Sequence, residues 1–378
     1  MYTRNIAGPF LSLLLLLSFS VSYSNDGAFR AAGNQLIPMY ETDISVKKEI
    51  LTINRISSGK AAITVYYEFF NPKSNKELEV GFEATSPMGD VSIRPVNGQH
   101  PYITRFTVNM NGESIPFKVA IVSDSLYYNK GKFKSKTLAQ TNKEINENDL
   151  VYFFYVYHFK ALFKPGINIV THTYTVDLSS SIYENYALEY ILTAAGRWAN
   201  RQIDDFTLQI NMGEFQDLSI QNTFFSNAAE WQIPTTAKST VVKKKENDET
   251  DMTEFIIRKG MLVFQKQHFK PIGQLYIHSF NYYFYNGPED INTYDGLFNY
   301  KREGLPFSIE DQDGIKKPAN EPSKRILKNL PFARRGYIFK SPELQAYFEK
   351  QPWYKKDEKY EPVLAGLTQK EQAWLIKL

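Results

Sequence analysis

From Asn25 to about Asn286 the chain repeats one local pattern, short runs of β-branched and aromatic residues closed by turn-forming residues. Ala61 to Phe70 is such a run, and Asn71-Pro72 stops it. Lys48 to Ile56 precedes it with loose alternation, and Ser57 to Lys60 supplies a Gly-bearing turn, so the pair predicts a hairpin. Asn97-Gly98 and Asn111-Gly112 mark further turns. Strands are predicted again over residues 105–110, 151–159, 167–176, 183–193, 205–212, 255–258 and 261–266. No helical periodicity intervenes. The expected fold is therefore mainly β, an antiparallel β-sandwich-like packing and not a series of βαβ units.

At 378 residues the chain exceeds one ordinary core, and 43% hydrophobic with 15% aromatic residues is the composition of a folded protein. The polar stretch from Asn129 to Asp149 and the charged run from Lys243 to Asp251 read as solvated loops. The first leaves open whether the β region is one unit or two, split near residue 135. A net charge of +3 argues against wholesale nucleic-acid binding.

The first 24 residues read as an export signal: Arg4, an apolar stretch from Ile6 to Phe19, then Ser22 and Ser24 ahead of a cut before Asn25. The apolar core is shorter than a spanning helix needs, so no transmembrane helix is expected after cleavage. With no cysteine there is no lipid attachment, no disulfide and no thiol chemistry. The chain is expected in the periplasm or outside a bacterial cell.

Residues 287–322 change to Gly, Pro, Asp and Asn and read as an irregular linker. Beyond it, residues 323–378 read as helical. One helix from about Ser323 is bent or broken at Pro331, with Gly336 ending it. Ser341-Pro342 opens a second helix that carries Leu344, Tyr347 and Phe348 on one face until Pro352. Thr368 and Glu371 form a capping box for a third, with Trp374, Leu375 and Leu378 inward. From Asn320 onward there are twelve Lys/Arg against seven Asp/Glu, so the basic charge is concentrated here.

Phe332-Ala333-Arg334-Arg335-Gly336, followed by Tyr337, Phe339, Ser341, Leu344, Tyr347, Phe348, Trp353 and Tyr354, resembles the YARHG domain, a short module of bacterial exported proteins. Phe332 stands where that family usually has Tyr, and Arg335 where it has His. A permanent cation there excludes a neutral imidazole acting as base or metal ligand. Residues 44–51 and 65–72 resemble an uncharacterised exported β domain that often precedes such modules. The resemblance implies an address and an architecture but no reaction.

Catalytic signatures are absent, and no catalytic residue, metal ligand or cofactor is expected. Ser45/Lys48 and Ser57/Lys60 have Ser-x-x-Lys spacing but lie in extended or turn segments that splay the side chains. His158 and His172 would face each other, with Asp177 as a third ligand, if their strands paired across Lys164-Pro165-Gly166. Residues 152–157 and 280–285 are crowded with aromatics, either core or a sugar-stacking surface, and Arg197-Trp198 sits at an expected loop tip. Arg334, Arg335, Tyr337, Trp353 and Tyr354 are the candidate binding surface, because guanidinium groups take carboxylates in bidentate fashion. On that reading Arg335, Trp353 and Tyr354 share one exposed face. The expected function is non-catalytic binding or scaffolding, contacting cell-wall glycan or an acidic envelope protein. The alternative is an envelope-polymer hydrolase, with Glu184 and Asp177 as conceivable carboxylates; the third is a module that only caps the β domain's open edge.

Overall fold

The computed structural model describes residues 32–39, 42–123, 127–129, 131–148, 151–235, 237–242, 251–281, 296–304, 307 and 317–378. The expected export signal, the charged run 243–250, Tyr282 to Tyr285 of the second aromatic strand, and most of the expected linker lie outside the described residues.

Twenty strands are formed among the described residues. They begin with β1 (Ala32–Asn34), β2 (Ile37–Pro38), β3 (Ser45–Ser57), β4 (Lys60–Asn71), β5 (Lys76–Thr85), β6 (Ile103–Met110) and β7 (Glu113–Ser114). Next come β8 (Lys118–Val122), β9 (Tyr128–Asn129), β10 (Lys132–Phe133), β11 (Phe154–Phe163), β12 (Gly166–Asp177), β13 (Glu184–Ile191) and β14 (Ile203–Asn211). The last are β15 (Gln216–Gln221), β16 (Trp231–Gln232), β17 (Ala237–Val242), β18 (Met252–Ile257), β19 (Leu262–Phe269) and β20 (Leu275–Phe280).

Two large sheets share all of them but β9 and β10, which pair only with each other. One runs β17-β18-β15-β20-β13-β1-β5-β11-β8, with β2 added on β5; the other runs β16-β19-β14-β3-β4-β12-β6-β7. The predicted hairpin is β3–β4, turned at Ser58-Gly59. Alternation fixes its faces: Ala61, Ile63, Val65, Tyr67 and Phe69 point into one continuous core that both sheets line. Pairing is antiparallel except at β1–β13 and β3–β14, which are parallel. Strands before and after residue 135 share both sheets.

The stretch expected as a plain polar loop holds the small β9–β10 hairpin and a helix, α1 (Leu138–Glu147). A complete capping box between Thr137 and Gln140 nucleates that helix, a signal that the weight of charged residues concealed. After a single turn, α2 (Tyr300–Glu303), the C-terminal module contains α3 (Glu321–Ala333), α4 (Pro342–Glu349) and α5 (Gln369–Lys377). Pro331 lies inside α3, Ser341 occupies the N-cap position of α4 without a side-chain capping bond, and Thr368 caps α5 as expected. Phe348, Trp353, Tyr354, Trp374 and Phe339 form the module's core, and Phe215 and Ile256 of the sandwich belong to the same cluster.

Candidate functional site

The signature run places its residues where the module meets the sandwich. Ala333 is fully buried at the end of α3. Arg334 follows as the helix cap, and its guanidinium stacks on the ring of Phe215 at 3.8 Å, with that of Arg335 at 4.7 Å. Phe215 reaches this position because its backbone adopts φ 53° just ahead of β15.

Both arginines converge on Glu371. Arg335 donates from both terminal nitrogens, each bond 2.6 Å long, and Arg334 Nε lies 3.0 Å from Oε1. The side chains of Arg334 and Glu371 are fully buried, and that of Arg335 is 12% exposed. Burial pushes the Glu371 carboxyl up, but the Arg335 hydrogen bonds and the Arg334 charge outweigh it and hold the group below its usual range. The same carboxylate accepts from Thr368 N at 2.9 Å, so the capping-box residue also anchors the arginine pair.

Backbone groups complete the seam. Arg258, just past β18, donates to the Arg335 carbonyl and pairs with Asp357 at 3.1 Å. Lys238 donates to the Tyr354 carbonyl, and Lys355 donates to the Thr235 carbonyl. Gly336 has φ 92°, and a Cβ there would lie 2.4 Å from Lys355 O. Only glycine fits that conformation and that space.

The expectation that Arg335, Trp353 and Tyr354 share an exposed face is corrected. Trp353 and Tyr354 are buried in the module's core, and Arg335 is turned inward onto Glu371. Tyr337 is half-buried and packs edge-on against Phe339. The physical reason is local: the cations lie beside a buried aromatic ring and a buried carboxylate, which satisfy them without solvent.

The other candidates separate in the same way. His158 and His172 lie in different sheets, because β11 and β12 do not pair across the turn. His158 bonds Glu79 at 2.5 Å, whereas His172 is enclosed by Tyr67, Tyr174, Phe82 and Phe106. Asp177 pairs with Lys60, and Glu184 accepts from Tyr276 at 2.7 Å and lies 3.0 Å from His278 Nδ1. Of the two Ser-x-x-Lys pairs, Lys48 is engaged by Asp205 at 3.2 Å and Lys60 by Asp177. Trp198 is core, donating to the Leu36 carbonyl at 2.8 Å, and Arg197 lies 3.5 Å from Glu83. Tyr155 and Tyr157 are also core, while Tyr152 at the strand's entrance is exposed. Among the described residues no group of three or more His, Asp or Glu is placed to hold a metal ion.

A groove of about 690 Å³ lies between α3 and α4. Ile326, Leu344 and Tyr347 give it an apolar lining, and Lys324, Arg325 and Lys328 stand there beside the carboxylates of Glu321 and Glu343. Arg325 is held by Glu343 at 2.9 Å and by the Ser341 hydroxyl at 2.9 Å. Sequence reasoning missed this groove because its basic residues are ordinary helix-surface cations in the pattern. It also missed Phe215, Arg258 and Asp357, which carry no motif; only Glu371 was signalled, and for a different role.

Residues 319–378 match the YARHG domain family model. No curated protein sequence matches the chain. Among solved structures, a candidate nutrient-binding protein from Legionella pneumophila aligns over 93% of this chain and 98% of its own, at 16% identity and a TM-score of 0.47. An M1 zinc metallopeptidase from Deinococcus radiodurans aligns over 62% of this chain and 42% of its own, at 10% identity and a TM-score of 0.22. Baculovirus P35 aligns over 65% of this chain and 98% of its own, at 11% identity and a TM-score of 0.28.

Proposed function

We propose that this chain is an exported, non-catalytic binding or scaffolding protein of the bacterial envelope, and that its helical module contacts an acidic envelope protein or a carboxylate-bearing cell-wall glycan. The observation that carries the reading is the α3–α4 groove, where apolar side chains lie beside Lys324, Arg325 and Lys328. Such a lining suits an extended anionic polymer, whose carboxylates take the cations while its apolar faces rest on Tyr347. The match to a module of exported proteins and the apolar run from Ile6 to Phe19 support export. No helix among the described residues is long and apolar enough to cross a membrane.

The proposed contact is not at Arg334 and Arg335, whose guanidinium groups are turned inward onto the buried Glu371. The test is retention of the protein by purified envelope fractions, comparing wild type with Lys324→Glu/Lys328→Glu. The expected result is at least a fivefold loss of retention, steeper at low salt, with an unchanged melting temperature. Equal retention of the two proteins would exclude the groove as the contact.

A further inference from the structure

Among the described residues the ten-stranded sheet is continuous through β1. On one side of it stand β13, β20, β15, β18 and β17, and on the other β5, β11 and β8. Among the described residues no ladder joins β13 directly to β5. The three residues of β1 pair in parallel with Glu189, Tyr190 and Ile191, while Gly33 also faces Ala84 across the antiparallel side.

The segment is gripped along its length. A Cβ on Gly33 would lie 2.8 Å from the Phe82 ring and 2.9 Å from the Tyr174 hydroxyl. The Gln35 amide donates to both oxygens of the buried Glu49 carboxyl, at 2.8 and 2.6 Å. Leu36 N donates to the Tyr67 hydroxyl at 3.3 Å, and its carbonyl accepts from Trp198. Leu36 and Ile37 are fully buried, β2 pairs with Gly81 and Val80, and Met39 N donates to Glu79 O at 3.0 Å. On the acceptor side a Cβ at Gly81 would lie 2.6 Å from the methyl of Met39.

These are the features of a peptide site read by strand addition: main-chain ladders on both sides for affinity, and side-chain contacts at fixed positions for selectivity. We propose that the slot between β13 and β5 is a strand-acceptor groove, filled in cis by residues 33–39. It selects an extended segment with glycine at the first position, glutamine two residues later, and two aliphatic residues after that. The groove is a separate element from the α3–α4 groove, and neither reading depends on the other. A second copy of the chain offers the same segment, so strand exchange between copies would use the same contacts.

The test begins with the full chain folded, carrying a specific protease site inserted between Tyr40 and Glu41. After the cut, the N-terminal fragment should remain associated through size-exclusion chromatography. A synthetic peptide spanning residues 31–40 should displace it and raise the melting temperature of the cut protein with increasing peptide concentration. The same peptide carrying Gly33→Val should compete at least tenfold more weakly, and that carrying Gln35→Ala roughly tenfold more weakly. A strand-swapped dimer after mild unfolding and refolding would support the groove equally. If the cut chain unfolds as the fragment leaves, the peptide-dependent melting temperature remains the readout, and no rise at saturating peptide would overturn the proposal. Loss of the fragment with an unchanged melting temperature, or equal competition by the Gly33→Val peptide, would also overturn it.

Discussion

The centre of the sandwich and the seam under the module both bury ionisable groups, but they handle them oppositely. In the seam, Arg334, Arg335 and Glu371 stay charged because each has a counter-ion, and the two guanidinium groups also share the ring of Phe215. In the sandwich, Glu49 and His172 have no counter-ion among the described residues, and burial favours their neutral forms. Burial pushes the Glu49 carboxyl up to about 8, against a smaller opposing effect of Gln35, and it pushes His172 down to about 3. Neither ring nitrogen of His172 has a hydrogen-bond partner among the described residues. The seam thus resists disruption through pairing, and the sandwich interior through desolvation.

Removing one member of the seam should have the largest effect. Glu371→Ala leaves two buried guanidinium groups uncompensated and should destabilise the fold by about 3–5 kcal/mol. Chemical denaturation, with limited proteolysis to show whether the module is released first, measures it. Replacing all three charges together, as Arg334→Met/Arg335→Leu/Glu371→Leu, should recover most of that loss, because no charge is then stranded. A triple variant as unstable as Glu371→Ala would show that the side chains' shapes matter more than their charges.

The sandwich predicts a pH effect with two opposite signs. Between about 4.5 and about 8 the folded chain holds a proton on Glu49 that the unfolded chain has lost, so this group's contribution falls as pH rises. The slope is about 1.4 kcal/mol per pH unit for one proton, and Glu49→Gln should remove it from stability curves measured between about pH 4.5 and about 8. For His172 the unfolded chain holds the extra proton between about 6.5 and about 3, so stability falls as pH falls through that window. His172→Phe, which keeps a ring among Tyr67, Tyr174, Phe82 and Phe106, should flatten the acid side. Curves for either variant that run parallel to wild type would break the contrast with the seam.

A smaller effect is expected at the ring that both arginines share. Phe215→Leu keeps an apolar contact but removes the π face, and should cost about 1–2 kcal/mol. The loss should vanish in the triple apolar variant, since nothing cationic then faces the ring.

Legibility followed the range of the interactions. The β3–β4 hairpin, the Ser341-Pro342 start of α4 and the capping box of α5 depend on residues a few positions apart, and their sequence signals were legible. The mainly β fold with a small helical module followed from such local patterns. The seam depends on Phe215 and Arg258 meeting a run more than seventy residues later, and no spacing rule links them. Arg334-Arg335 was conspicuous for its charge, and charge alone does not distinguish an internal carboxylate from an external one. Glu371 is instructive, because its capping role was legible and its grip on the arginines was not. The β1 segment was illegible for another reason: Gly33 to Met39 has no alternation, since all its described side chains are buried on both faces.

The smallest effect separates the seam from the module's surface. Arg325, like Arg335, bonds a carboxylate, but through one nitrogen only, with the other on the Ser341 hydroxyl; its side chain is 52% exposed and its partner Glu343 is 83% exposed. Water and salt screen that pair, and the freedom lost in holding two long side chains offsets much of the attraction. Arg325→Ala should therefore change stability by less than about 1 kcal/mol, against the much larger loss expected at Glu371. Its consequence should fall on binding instead, because it removes a cation from the α3–α4 groove while the buried triad stays intact. Denaturation and envelope retention measured on the same preparation distinguish the two outcomes. A stability loss as large as that of Glu371→Ala would place Arg325 in the structural framework and leave the groove with only its two lysines.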